Sequence, residues 1–259
     1  MSFFRTDIPA LERSDRSVRS FAQLDLHRIM QEDIEDEKLG IPPRFGYKRR
    51  VNYNLDNSGE WQTLVDGGRI WRLKLSSPGA LSINLLYDKF WIPDGAKFWI
   101  YSSDQQHNIG AFTSVNNIGT RYEIEGFATG LVFSDQIILE YYVPNGVGDI
   151  GIISIAYVVH GYRHIRLPDT FEKSGLGFGQ SAWCQVNVNC PEGQIWQNEK
   201  NAIALILVNG NRHCTGFLVN TTANDNRPLF MTADHCLMGW DAVRNNSPFI
   251  VAMVICLAL

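Results

Sequence analysis

The chain has 259 residues, 45% of them hydrophobic and 12% aromatic, enough for two modest domains or one large β domain with a real core. Its formal net charge is −4 and no basic stripe interleaves with aromatics, which argues against a nucleic-acid partner, because phosphate contacts need clustered Lys and Arg. The longest apolar run, the terminal "FIVAMVICLAL", is 11 residues long and too short to span a bilayer, so no membrane span is expected.

Residues 1–44 read as a short N-terminal helical segment. "LDLHRIMQEDIEDEK" places Leu26, Ile29, Met30 and Ile34 on one helical face, and Gly40 with Pro42-Pro43 supplies the stop. The plain expectation is a surface helix packing on the domain that follows.

Residues 45–165 change to β. "RIWRLKL" alternates Trp71, Leu73 and Leu75 against Arg72 and Lys74, a period of two. "LSINLLYDKFWI", "KFWIYSS", "QIILEYYV" and "IGIISIAYVVHGY" follow, punctuated by Pro93-Asp94-Gly95 and Pro144-Asn145-Gly146. Short apolar runs broken by Gly, Pro and Asn at roughly ten-residue spacing predict a mainly β fold, an antiparallel sandwich or jelly roll. Trp61, Trp71, Trp91, Trp99 and Tyr101 are either core, the commoner case, or a sugar-binding platform. The second choice would make this domain a carbohydrate- or protein-binding module.

Residues 166–181 read as a linker, exposed and open to proteolysis. From 182 to 259 the pattern is β again: "NAIALILVNG", "CTGFLVNTT" and "PLFMTADHC", with Asn209-Gly210 marking a hairpin turn. All five cysteines, Cys184, Cys190, Cys214, Cys236 and Cys256, fall in this last part. Clustered cysteines without CxxC pairs favour disulfides and an oxidising compartment. The first twenty residues nonetheless lack the apolar core of a secretory signal as written. A lost true start would reconcile the two.

"CTGFLVN" and "LFMTADHC" are apolar strands with a cysteine at one end, and residues 224–228 supply the turn between them. Paired antiparallel, they could bring Cys214 and Cys236 to opposing positions. A bridge there would close a loop worth roughly 3 kcal/mol by chain entropy and would hold the strand end that carries His235. A general base needs such holding, because it works only within hydrogen-bond reach of its proton donor.

"CTGFLVN…PLFMTADHC" resembles the signature around the catalytic histidine of trypsin-like (chymotrypsin-fold) serine proteases. The longer stretch from "WCQVNVNCPEG" to "TADHC" resembles the start of mature lysyl endopeptidases, secreted bacterial members of that family. The preceding β domain is similar to the propeptide domain of such precursors. The resemblance implies an incomplete trypsin-like β-barrel in 182–259, with His235 as the general base of a Ser-His-Asp triad. It pairs Cys214 with Cys236 and makes Cys184 and Cys190 halves of further bridges to downstream cysteines. Apart from the resemblance, the position of Cys256 in the tail is compatible with a Cys190–Cys256 bridge and equally with a truncated or frameshifted ending. The resemblance has further implications. It makes peptides or proteins the substrates of the full-length form. It implies processing near Lys173, since such enzymes cut after lysine, and a secreted location.

Two features depart from the pattern. Asp234 replaces the commoner alanine before the histidine, and adjacent side chains on a strand point apart, so it is not expected to brace His235. No Gly-Asp-Ser-Gly-like segment follows Cys236, where Ser247 is the one serine and Asp241 the one acid. The chain as given is therefore expected to be an inactive fragment ending inside the first barrel, with a tail, "SPFIVAMVICLAL", that starts like the next barrel strand and stays apolar to the end. A zinc site from His213, Cys214, His235 and Cys236 is the competing reading. No cofactor or metal is expected, and the oligomeric state is left open.

Overall fold

The computed structural model describes residues 17–41, 44–163, 191–223, 229–236 and 251–255, with backbone alone for Arg212, His213, His235 and 251–255. Lys173, Cys184, Cys190, Cys256 and the expected turn at 224–228 lie outside the described residues. The fold is mainly β. It divides into two compact units, Met1–His27 with Tyr47–Tyr162, and Arg28–Gly46 with Arg163–Leu259.

The first unit holds two sheets. In one, β1 (Val18–Ser20), β4 (Arg69–Ser76), β9 (Gln136–Val143), β6 (Lys97–Ser102) and β7 (Asn108–Phe112) lie in that order, with β3 (Glu60–Thr63) also on β4. β1 runs parallel to β4, whereas β4, β9, β6 and β7 alternate antiparallel. The other sheet runs β2 (Gly46–Asn54), β10 (Ile152–Gly161), β5 (Ser82–Trp91) and β8 (Phe127–Ala128).

The period-two reading holds here for a physical reason. Trp71, Leu73 and Leu75 of β4 join Leu139 and Tyr141 of β9 and Leu85 and Tyr87 of β5 in one buried cluster. Successive strand side chains point to opposite faces, so one alternating set reaches that shared interior. The turns also form as expected: Ala96 N–H donates to Pro93 O and Val147 N–H to Pro144 O, with Gly95 and Gly146 at positive φ.

The outward set differs from the sequence expectation. Arg72 is buried and lies 3.6 Å from Glu140, which also accepts a hydrogen bond from Tyr101 Oη at 3.0 Å. Burial pushes the Glu140 carboxyl above its ordinary value, opposed by the Tyr101 hydrogen bond and the Arg72 charge. Alternation alone cannot foresee that both faces of β4 are covered.

In the second unit, α1 (Leu26–Lys38) ends as the sequence says. Ile41 N–H bonds Asp36 O and Gly40 N–H bonds Glu37 O, with Gly40 at φ +70°, the Schellman arrangement. Its buried face is not the expected apolar stripe. Ile29 and Asp33 are buried, while Met30 and Ile34 stand exposed. Asp33 is held there by Arg44 Nε and Arg163 Nη2, each at 2.6 Å.

A short helical stretch follows in this unit, a 3₁₀ turn at Pro191–Trp196 running into α2 (Gln197–Lys200). Then comes an open sheet of β13 (Leu229–Thr232), β12 (Asn211–Val219), β11 (Ile203–Val208) and β14 (Val251–Ile255), in that order and antiparallel throughout. Among the described residues no barrel closes. The β11–β12 hairpin turns on Asn209 (φ +53°) and Gly210 (φ +89°), the doubly positive geometry its Asn-Gly pair favours. Within the apolar tail, β14 joins β11 with Ala204 opposite Ile255 and Val208 opposite Val251.

Candidate active site

Among the described residues two histidine positions bear on a catalytic reading, and their surroundings separate them. The first is in the β-rich first unit, where Ser77 Oγ lies 2.8 Å from His160 Nδ1. Both residues are fully enclosed, with His160 only 1% exposed, so no substrate reaches them. The pair is a structural one.

His160 Nε2 has no hydrogen-bond partner among the described residues, and burial lowers the ring's pKa from 6.5 to about 4, helped by the Arg49 charge and opposed by Asp135. Protonation would add a charge and a second N–H to an enclosed site. The unfolded chain takes up this proton near pH 6.5 and the folded chain only near pH 4, so stability falls as pH drops across that window. The loss is roughly 2–3 kcal/mol at the acid end, given about 1.4 kcal/mol per unit. Urea midpoints at pH 7.5 and 4.5 should show a steeper decline for the wild type than for His160→Gln; equal declines would remove His160 as the cause.

The second place is the end of β13. β12 and β13 pair with Gly216 opposite Thr232 and Val219 opposite Leu229. Gly216 is needed for this approach, since a Cβ there would sit 2.5 Å from Met231 O and the Phe230 ring. Thr232 Oγ1 donates to Thr215 O at 2.8 Å and fastens the strand ends together.

Beyond Thr232 the chain leaves the sheet. Asp234–Cys236 is a 3₁₀ turn, closed by Cys236 N–H to Ala233 O at 3.0 Å. This corrects the expectation that the strand continues through His235. In a 3₁₀ turn successive residues are about 120° apart rather than on opposite faces, so the strand argument about Asp234 does not apply. Cys214 and Cys236 are joined by a disulfide with Cα atoms 6.0 Å apart, and Cys236 is buried. Bonded sulfurs are not thiolate ligands, and the zinc reading loses half of its donors. The backbone of His235 is thus held between the β13 strand end and a buried cross-link.

The cross-link spans 22 residues. Removing it with Cys214→Ala/Cys236→Ala is expected to cost about 3 kcal/mol through the freed unfolded chain. Chemical denaturation of the second unit reads this directly, and reduction should raise the native mass by two hydrogens for this bridge. A variant as stable as the wild type would contradict it.

Residues 178–254 match the family model described as "Lysyl endopeptidase, C-terminal domain". The match supports a lysyl endopeptidase-related protein. It includes β11, β12, β13, the Asp234–Cys236 turn and most of β14. No solved structure matches the chain. No described helix is long and apolar enough to cross a membrane.

Sequence reasoning missed the Asp33 ion-pair centre, and it read the tail as a strand without naming β11 as its partner. The only signal for the first was an acid four residues after Ile29, on the face that the helix buries.

Proposed function

We propose that residues 182–259 are the N-terminal barrel portion of a trypsin-like serine endopeptidase of the lysyl endopeptidase kind, with His235 as general base. The observation that carries this reading is the disulfide-tied Asp234–Cys236 turn at the end of β13, inside the stretch matched by the family. A base in acyl transfer takes the proton of an attacking hydroxyl and returns it to the leaving amine, which requires a ring whose backbone does not wander. A strand end fixed by a cross-link meets that requirement.

His235 supplies one member of a triad. No Gly-Asp-Ser-Gly-like segment follows Cys236 in these 259 residues, where Ser247 and Asp241 stand outside the expected motifs. A polypeptide of these residues alone is therefore expected to leave peptides intact. Cleavage after lysine follows from the name of the matched family, whereas a secreted location rests on the cysteines clustered in the last third of the chain.

The segment 45–165 is read as a β-sandwich propeptide-like domain, resting on the single core that its two sheets share. The 1–44 segment is the helical lead into it, and 166–181 is the processing linker, with Lys173 the cut site. One observation favours a binding module instead, since the half-buried Trp61 and Trp91 each line a surface hollow, beside Asp56 and Glu60 and beside Asp94 and Asn117. A glycan array probed with the whole chain separates the two.

The test of the protease reading is a chimera in which a lysyl endopeptidase supplies the residues that follow Cys236. It should cleave a peptide after lysine. A folded chimera with its cross-link formed and no cleavage would count against the reading.

A further inference from the structure

The segment that precedes the β-rich domain in sequence is built into the C-terminal unit. Arg44 bridges to Asn211, and the N–H groups of Phe45 and Gly46 both donate to Gly210 O, at 2.8 and 3.1 Å. Gly210 presents that carbonyl because the Asn209-Gly210 turn carries both residues at positive φ. Phe45 O in turn accepts from Arg163 N–H at 3.2 Å, so both backbone groups of Phe45 are used, and its ring is 0% exposed.

This short strand-like contact is held in place from behind. The Asp33 carboxylate takes Arg44 on one oxygen and Arg163 on the other, each at 2.6 Å. Arg44 Nη2 also reaches Ile29 O at 3.3 Å, at the adjacent turn of α1. Charge-assisted bonds to a buried carboxylate are the strong ones, and losing one partner leaves charge uncompensated. The two arginines lie at opposite ends of the intervening chain, and Asp33 clasps them together.

We infer that Arg28–Gly46 is a built-in brace of the C-terminal sheet, docked on the Asn209-Gly210 hairpin turn and set by the Asp33 clasp. A cut within 166–181 then leaves the two pieces associated through this contact. The inference goes beyond the protease reading and stands whether or not His235 is a base, because it concerns a segment and a hairpin outside that turn.

The test uses the whole chain with a specific protease site placed in 166–181. After cutting, the two pieces are run on size exclusion at micromolar concentration. They should elute together for the wild type. With Asp33→Asn, which keeps the shape but not the charge, they should bind each other at least tenfold more weakly. Gly46→Pro, which removes one donor to Gly210 O, should weaken them likewise. In the uncut chain, hydrogen exchange should show the Phe45 and Gly46 amides protected, and faster in Asp33→Asn. Wild-type pieces that separate on cutting would overturn the inference. So would pieces of both variants that hold as tightly as wild type, or Phe45 and Gly46 amides that exchange freely.

Discussion

Replacing Trp71 by alanine is expected to lower the stability of the first unit by about 3–5 kcal/mol, the range for emptying a large aromatic site in a packed core. Trp71 is 1% exposed and sits in the cluster that both sheets of this unit share. Its Nε1 donates to Ser58 O at 2.7 Å, and Ser58 is itself buried, so truncation also leaves a carbonyl without its donor. The indole lies so close to Gly59 that a Cβ there would come within 2.4 Å of it, with Gly59 at φ +72°. Chain and ring are fitted to each other, and collapse around the void is hindered. Trp71→Phe keeps much of the apolar fill and should lose less, about 1–2 kcal/mol. The urea transition of the strand signal measures both. A loss below about 1 kcal/mol for the alanine variant would mean that Trp71 is not a keystone of this core.

Much of the first unit was legible because burial on a shared interior forces a period of two. β4, β5, β6, β9 and β10 fall where the apolar runs lie, and the Pro-Asp-Gly and Pro-Asn-Gly breaks are the turns. The helix was legible as a helix and misjudged in its facing. A stripe of Leu26, Ile29, Met30 and Ile34 satisfies hydrophobic periodicity, yet the buried positions are Ile29 and Asp33. Two arginines far away in sequence make burying that acid favourable, and no local pattern encodes them.

The same limit appears on β4. Arg72 reads as a solvent-facing residue and is buried beside Glu140, a partner 68 positions on (140 minus 72).

In the C-terminal unit the local signals were stronger. Asn209-Gly210 gives the hairpin, and the cysteines at the two strand ends give the cross-link. The glycine of "CTG" is explained by the close approach of β13. What sequence did not show is that the strand stops at Thr232 and that His235 sits in a 3₁₀ turn. A tight turn and a strand end share the same apolar lead-in, and only the Ala233–Cys236 hydrogen bond tells them apart. The placement of β14 beside β11 was likewise out of reach, being a pairing of residues about fifty positions apart.

The proposed role of the cross-linked turn after β13 is to hold a catalytic base. If His235 does that work, its loss should remove nearly all turnover while leaving the fold intact. A general base of a serine triad, once removed, costs on the order of 10⁴-fold or more in kcat. Losing Asp234 from the same turn should cost far less, since it is exposed and the triad's acid is expected elsewhere. The direct measurement is kcat/KM on a lysyl peptide for the chimera completed by a lysyl endopeptidase, comparing His235→Ala with the parent. Circular dichroism and the intact cross-link mass serve as fold controls. The account expects a fall of roughly 10⁴-fold with an unchanged fold. Activity within about tenfold of the parent would contradict it.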